Sequence, residues 1–208
     1  QDYDLGYDAI AALFPQTGGA RGGDIKLYFS QIKTEQGGGI DLLAPAGMVN
    51  AGLAAGGDSG KTASELGIVT ARGGSVRALT RDDFAVNQSR VFTLQGGDIL
   101  IWSSEGDIDA GKGAKTAAAA PPPQIIVRGD QIILDTSNSV SGSGIGVLLG
   151  KDGITPGSVD LIAPKGAVIA GDAGIRALGD IFLAGLRVIG ADNIQAGGRQ
   201  VGVPQVEA

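Results

Sequence analysis

The sequence predicts an all-β chain: a right-handed parallel β-helix (β-solenoid) with a short N-terminal amphipathic helix. Three observations lead there. The first is a recurring phrase in which one or two glycines precede an apolar-alternating run. It appears as Gly22-Gly23-Asp24-Ile25-Lys26-Leu27, Gly38-Gly39-Ile40-Asp41-Leu42, Gly73-Gly74-Ser75-Val76-Arg77-Ala78, Gly96-Gly97-Asp98-Ile99-Leu100-Ile101, Gly157-Ser158-Val159-Asp160-Leu161 and Gly179-Asp180-Ile181-Phe182-Leu183. The second is a longer self-match, Gly39 to Gly52 against Ser158 to Gly171, both built as apolar alternation, Ala-Pro, then a second apolar run ending in Gly. The third is composition. Glycine supplies 37 of 208 residues without a Gly-X-Y period, and 43% are hydrophobic with a single Trp and a single Met. A core made of Ile, Leu, Val and Ala suits a thin, regularly layered interior. Short strands repeated between turns cannot bury an apolar face singly, so the unit must stack on itself.

Residues 1–20 are read apart from the rest. Tyr7, Ile10, Leu13 and Phe14 fall at helical spacing and Pro15 stops the pattern, giving a helix whose apolar face caps the open end of the stack or docks on a neighbouring subunit. Residues 21–204 form the solenoid. Ile25/Leu27/Phe29, Ile40/Leu42/Ala44, Ile99/Ile101, Ile132/Leu134, Val159/Leu161/Ala163 and Ile181/Leu183 each alternate with polar or outward residues. Matching phrases recur at roughly 15–25 residues, as a coil of three short strands and three turns requires; eight or nine coils at ~4.8 Å would make a rod ~40 Å long. Insertions interrupt the pattern near 53–64, 114–123 and 136–146, and residues 205–208 are a tail. A β-sandwich would need antiparallel hairpins throughout, and the copies at 39–52 and 158–171 argue against it.

Composition narrows the function. With no Cys, disulfides, thiol catalysis and Cys-type zinc sites are excluded; with no His, the commonest general base and transition-metal ligand is missing. The net charge is −6 and the 16 basic residues are scattered, so no nucleic-acid stripe is present. No apolar stretch approaches the ~20 residues that span a bilayer. Gln1-Asp2-Tyr3-Asp4 has neither a basic nor an apolar leader character, and the chain is read as processed or as a fragment.

Several motifs carry possible chemistry. Ala55 to Thr62 ends in Gly-Lys-Thr like a phosphate-cradling loop, but Ala55 replaces the first glycine and no helix of useful length follows. Arg128-Gly129-Asp130 lies between two apolar runs where a turn would display it, and chance explains it in so glycine-rich a chain. Asn87-Gln88-Ser89 fits a glycosylation acceptor. Asp82-Asp83 and Asp107/Asp109 are the carboxylates that a β-helical carbohydrate-active enzyme would use; solvated turn residues are the simpler reading. No catalytic, cofactor-binding or metal-binding residue is assigned.

Longer phrases resemble a known family. Phe29 to Gly38, Asn87 to Leu94, Gly96 to Ser104, Gly106 to Thr116, the Pro121-Pro122-Pro123 loop and Ala191 to Gln195 are similar to the C-terminal β-helical region of filamentous haemagglutinin-type exoproteins. The resemblance runs from Tyr3 to about Pro204. It implies a bacterial surface or secreted protein exported by a two-partner pathway, serving adhesion or the biofilm matrix without catalysis. Expected partners are a second copy of the chain, in fibres, and a surface glycan or receptor; no cofactor is implied. The alternative is the β-helical carbohydrate-active enzyme.

Overall fold

The computed structural model describes residues 2–15, 22–53, 60–61, 63–113, 124–128, 131–135, 142–148 and 155–205. Pairing is parallel throughout the main body and assembles three faces. Face 1 carries β3 (Ile40–Ala44), β6 (Val76–Thr80), β9 (Ile99–Ser103), the first halves of β14 (Val159–Ile169) and β16 (Ile181–Ile189), and β18 (Gln200–Val201). Face 2 carries β1 (Ile25–Lys26), β4 (Val49–Asn50), β7 (Phe84–Ala85), β10 (Ile108–Asp109) and the second halves of β14 and β16. Face 3 carries β2 (Gln31–Thr34), β5 (Gly67–Thr70), β8 (Arg90–Leu94), β13 (Gly144–Leu148), β15 (Ile175–Ala177) and β17 (Ile194–Ala196). The chain visits faces 3, 1 and 2 in turn, so each circuit is one rung of a solenoid-like stack.

Alternation sorts side chains into columns. Ile40, Val76, Ile99, Val159 and Ile181 lie in register on face 1 and point inward. Val49, Phe84, Ile108 and Val168 do so on face 2, and Ile68, Val91, Ile145, Ile175 and Ile194 on face 3. Together they form one buried cluster running the length of the stack. Ile40 and Val159, matched by the sequence repeat, share one column. The outer side of face 3 is buried as well, where Val69, Phe92 and Leu94 pack with Leu148. Arg90 opens β8 at 1% exposure, its guanidinium 5.1 Å from the Phe92 ring; burial pushes its pKa down to about 10.

The step from rung to rung is uneven. On face 1 it is 36 residues from Asp41 to Arg77, 23 from Ser75 to Asp98, 60 from Asp98 to Ser158, 22 from Ser158 to Asp180 and 19 from Asp180 to Arg199. Face 1 therefore has six rungs, or roughly 25–30 Å at the strand spacing, where even spacing predicts eight or nine. Two corners absorb the missing residues. The 36-residue step contains the 53–64 insertion. The 60-residue step contains the 114–123 insertion, which lies outside the described residues, and an antiparallel hairpin, β11 (Gln124–Arg128) with β12 (Gln131–Asp135). Ile132 and Leu134, which alternate like a rung, belong to this hairpin; the register Arg128↔Gln131 leaves only residues 129–130 between the strands, the hallmark of a hairpin. Strand β13 begins at Gly144, so Gly144, Ile145 and Gly146 belong to a rung, and of the 136–146 insertion only Gly142 and Ser143 are otherwise described. The alternation expected through Phe29 stops early: Tyr28 and Phe29 form an exposed turn after β1.

Close stacking dictates glycine at the corner that leads into face 1. A Cβ on Gly74 would fall on the carbonyl oxygen of Gly38, one on Gly97 on that of Gly74, and one on Gly157 on that of Gly97. Gly97 also has φ +92°, a conformation closed to ordinary L-residues. Thr34, Thr70 and Thr93 brace these corners, each donating its hydroxyl to the carbonyl of Gly38, Gly74 and Gly97 at 2.8–3.0 Å. Substitution Gly97→Val is expected to lower stability by about 2–3 kcal/mol in denaturant unfolding, from left-handed strain plus the carbonyl overlap.

Candidate binding surface

The carboxylates singled out from the sequence are backbone acceptors at corners. The residue just before each face-1 strand forms one ladder: Ser75 Oγ accepts the N–H of Asp98 (3.1 Å), Asp98 Oδ1 that of Ser158 (2.8 Å), Ser158 Oγ that of Asp180 (3.3 Å) and Asp180 Oδ1 that of Arg199 (2.8 Å). The residue before each face-2 strand forms a second. Asp24 Oδ1 accepts from Met48 N (3.1 Å), Asp83 Oδ1 from Asp107 N (2.8 Å) and Asp107 Oδ1 from Ala167 N (2.7 Å). Asp109 Oδ1 accepts the N–H of Gly111 two residues on, as Asn50 does for Gly52. Asp82 pairs loosely with Arg81 at 3.5 Å. Asp82, Asp83, Asp107 and Asp109 thus do not converge on a groove as acid and base; three of the four close the backbone. Bonding to the Arg199 backbone and guanidinium holds Asp180 below the ordinary carboxylate range, and bonds to Lys26 and the Met48 N–H do the same for Asp24.

Other motifs settle similarly. Asn87 Nδ2 donates to Asn50 Oδ1 and Gly52 O, both at 3.1 Å, so this amide closes a corner. Lys61 Nζ donates to the Phe29 carbonyl, in the turn after β1, at 2.7 Å. Residues 55–59 and 62 of the phosphate-loop phrase lie outside the described residues, as do Gly129 and Asp130.

The surface with most character is the outer side of face 1. Its residues form two rows in register, Asp41–Arg77–Leu100–Asp160–Phe182–Val201 and Leu43–Leu79–Trp102–Ile162–Ala184. Helix α1 (Asp4–Leu13) lies across the second row at its middle. Tyr3 and Tyr7 meet Trp102 edge-on, with centroids 6.3 and 5.6 Å apart. Gly6 lets the helix approach, since a Cβ there would enter the indole. Tyr7 donates its hydroxyl to the Ser104 carbonyl at 2.6 Å, and burial raises this phenol. Lys165 sits 5.5 Å over the Tyr7 ring while bonded to Glu105 at 2.7 Å. The helix thus touches the flank of the third and fourth rungs, where an end cap would touch a terminal rung. Tyr7, Ile10 and Phe14 turn inward as their spacing predicts, whereas Leu13 is 69% and Leu5 85% exposed. The chain's lone Trp was the available sequence signal for this contact.

Beside the helix, the first row lines a shallow depression of about 440 Å³ bounded by Gly39, Ser75, Arg77, Asp98, Leu100 and Asp160. Arg77 makes a bidentate pair with Asp41 (2.7 and 3.1 Å) at one end. Asp160 is raised above its ordinary range by burial, reinforced by the charges of Asp98 and Asp180 on the adjacent rungs. A smaller hollow of about 240 Å³ lies against the helix, walled by Asp2, Tyr3, Gly6, Trp102, Ile162 and Phe182. Among the described residues no group of three or more acidic side chains is arranged to hold a metal ion. The surface offers shallow, mixed aromatic, aliphatic and acidic relief along a rigid sheet.

The model of one family, described as filamentous haemagglutinin family outer membrane protein, matches residues 96–205. The chain belongs to this filamentous haemagglutinin family. The match includes the phrases Gly96 to Ser104, Gly106 to Thr116 and Ala191 to Gln195, and it covers the last four rungs of face 1 from β9 onward. No curated protein and no solved structure matches the chain. No helix among the described residues is long and apolar enough to cross a membrane.

Two predictions test the roles assigned to these carboxylates. Asp107→Ala is expected to cost about 1–2 kcal/mol in denaturant unfolding, because the N–H of buried Ala167 loses its acceptor, while Asp107→Asn retains an oxygen there and stays within about 0.5 kcal/mol of the parent. Asp160 has the opposite sign: an acid raised on folding opposes folding once pH exceeds its folded value, and the penalty vanishes below the unfolded one. Asp160→Asn should therefore raise the melting temperature at pH 7 and leave it unchanged near pH 3, read by circular dichroism.

Proposed function

We propose that this chain is a non-catalytic extracellular β-helix of a bacterial surface or biofilm matrix, structural and adhesive in role, which self-associates into fibres. The observation that carries the reading is the family match over 96–205, falling on a stack of parallel rungs with regular outer rows. The helix winds right-handedly, the hand taken by nearly all crossovers between parallel strands. Export through an outer-membrane transporter by the two-partner route accords with the family and with a Cys-free chain that crosses membranes unfolded.

A stack of this kind serves adhesion by presenting long rows of side chains at fixed spacing. The depression between Arg77 and Asp160 mixes a guanidinium, carboxylates and the Leu100 side chain, chemistry suited to the hydroxyls and apolar faces of a surface glycan or to a receptor loop. Among the described residues no strand pairs with the outer edges of β1, β2 and β3, and such edges are templates for the further pairing that self-association needs.

Electron microscopy of the purified protein over a range of concentrations is expected to show fibres lengthening with concentration. Isolated short particles at every concentration would remove self-association. Immunogold labelling of intact cells should place the chain outside the outer membrane; label confined to the cell interior would overturn the surface assignment.

A further inference from the structure

We infer that the hollow of about 240 Å³ between helix α1 and face 1 is a cage for a quaternary ammonium ion of the size of choline. Its walls come from the helix and three successive rungs: Asp2, Tyr3 and Gly6 at the start of α1, Trp102 on β9, Ile162 on β14 and Phe182 on β16. The site lies on the flank of the stack, and it holds whether or not copies of the chain associate.

The geometry is that of a box with aromatic sides. Trp102 and Phe182 stand two rungs apart, about 10 Å along the stack, and Ile162 on the rung between them gives an aliphatic floor. Tyr3 closes a further side. Its ring meets the indole at 81° with centroids 6.3 Å apart, so two of the walls are nearly perpendicular. The indole is held in place by its Nε1, which donates to Ser104 Oγ at 3.0 Å, and by the edge-on contact with Tyr7. Gly6 sets the height of the wall, because any Cβ there would enter the indole. Trp102, Ile162 and Phe182 are each only half-buried, so ring and methyl surface remains for a ligand to cover.

The lining selects the chemistry of that ligand. Aromatic faces carry the negative side of a quadrupole and attract a cation within about 6 Å of the ring centre. Asp2 adds a carboxylate at the rim, and Asp160 lies in register beside Phe182 on the adjoining row. The Asp2 carboxylate and the Tyr3 hydroxyl are the polar side-chain groups of the wall. A sugar ring or a primary ammonium would bring several donors into it and leave most of them unsatisfied. A quaternary ammonium has no N–H to satisfy and needs only ring faces and nearby negative charge. The same aromatic cluster already receives one ammonium, that of Lys165, 5.5 Å over the Tyr7 ring and held there by Glu105.

Trp102 is the chain's single tryptophan, so its emission reports on the cage directly. Choline chloride is expected to change that emission saturably. Sodium chloride at equal ionic strength should not, nor should the neutral analogue of choline in which a tert-butyl group replaces trimethylammonium. Phe182→Leu keeps apolar bulk but removes a ring face, and should weaken choline about five- to tenfold. Asp2→Asn keeps the oxygen that accepts the Asp4 N–H and should weaken it about two- to fivefold. Should Phe182→Leu disturb its rung, Tyr3→Leu removes a ring from the opposite wall with the same expectation. A titration that does not saturate, a neutral analogue that binds as well as choline, or parental affinity in the ring-removing variants would overturn the cage. Phosphatidylcholine vesicles separate the sources of the ion: cosedimentation that choline competes away assigns a lipid headgroup, and binding of free choline alone assigns a soluble one.

Discussion

Every rung of this chain must lie one strand spacing from the next, and the corners are where that demand is hardest to meet. Along a strand, ladder hydrogen bonds set the separation without difficulty. At a turn the backbone changes direction, its N–H and C=O groups leave the ladder, and any Cβ pointing along the stack strikes the neighbouring carbonyl. The chain solves this twice over. Glycine removes the Cβ at Gly74, Gly97, Gly106 and Gly157, and the Ser or Asp immediately afterwards (Ser75, Asp98, Asp107 and Ser158) supplies an oxygen for the orphaned N–H of the next rung. The phrase Gly-Gly-Asp followed by an apolar run is the written form of that solution: space, acceptor, then core.

Because a rung contacts only its neighbours, a corner can be lengthened without disturbing the layers above and below. Asp98 and Ser158 are 60 residues apart in sequence yet joined by a 2.8 Å hydrogen bond. The inserted hairpin between them pairs with itself. The irregular spacing of the phrases is therefore compatible with strict spatial register, and the columns Ile40 to Ile181 and Val49 to Val168 are unbroken across both long steps.

The repeat made the parallel architecture and the core columns legible, since Ile40/Leu42/Ala44 and Val159/Leu161/Ala163 declare the same face by alternation and by identity of their flanks. Rung number was not legible, because Ile132 and Leu134 alternate as well as any rung; their pairing with Val127 and Ile125 in a local antiparallel hairpin takes them elsewhere. Face 3 was hard for another reason. Gly67–Thr70 and Arg90–Leu94 are buried on both sides, so the period-two signal disappears into continuous runs. The position of α1 was partly readable: the spacing of Tyr7, Ile10 and Phe14 gave its inner face, but nothing local pairs a helix with Trp102 some 95 residues away (Tyr7 and Ser104 are 97 apart).

The acidic residues show why composition misleads in such a fold. In an enzyme, an aspartate two positions from another on a strand draws attention as half of an acid–base pair. Here Asp107 and Asp109 flank the inward Ile108 and turn to separate backbone amides, Ala167 N and Gly111 N. Their chemistry is that of acceptors at a turn, and the same requirement recurs from rung to rung, so the stack accumulates carboxylates in aligned rows. Recognition must then come from side chains that the ladder does not consume. On face 1 these are Arg77, Leu100, Asp160 and Phe182 along the flank.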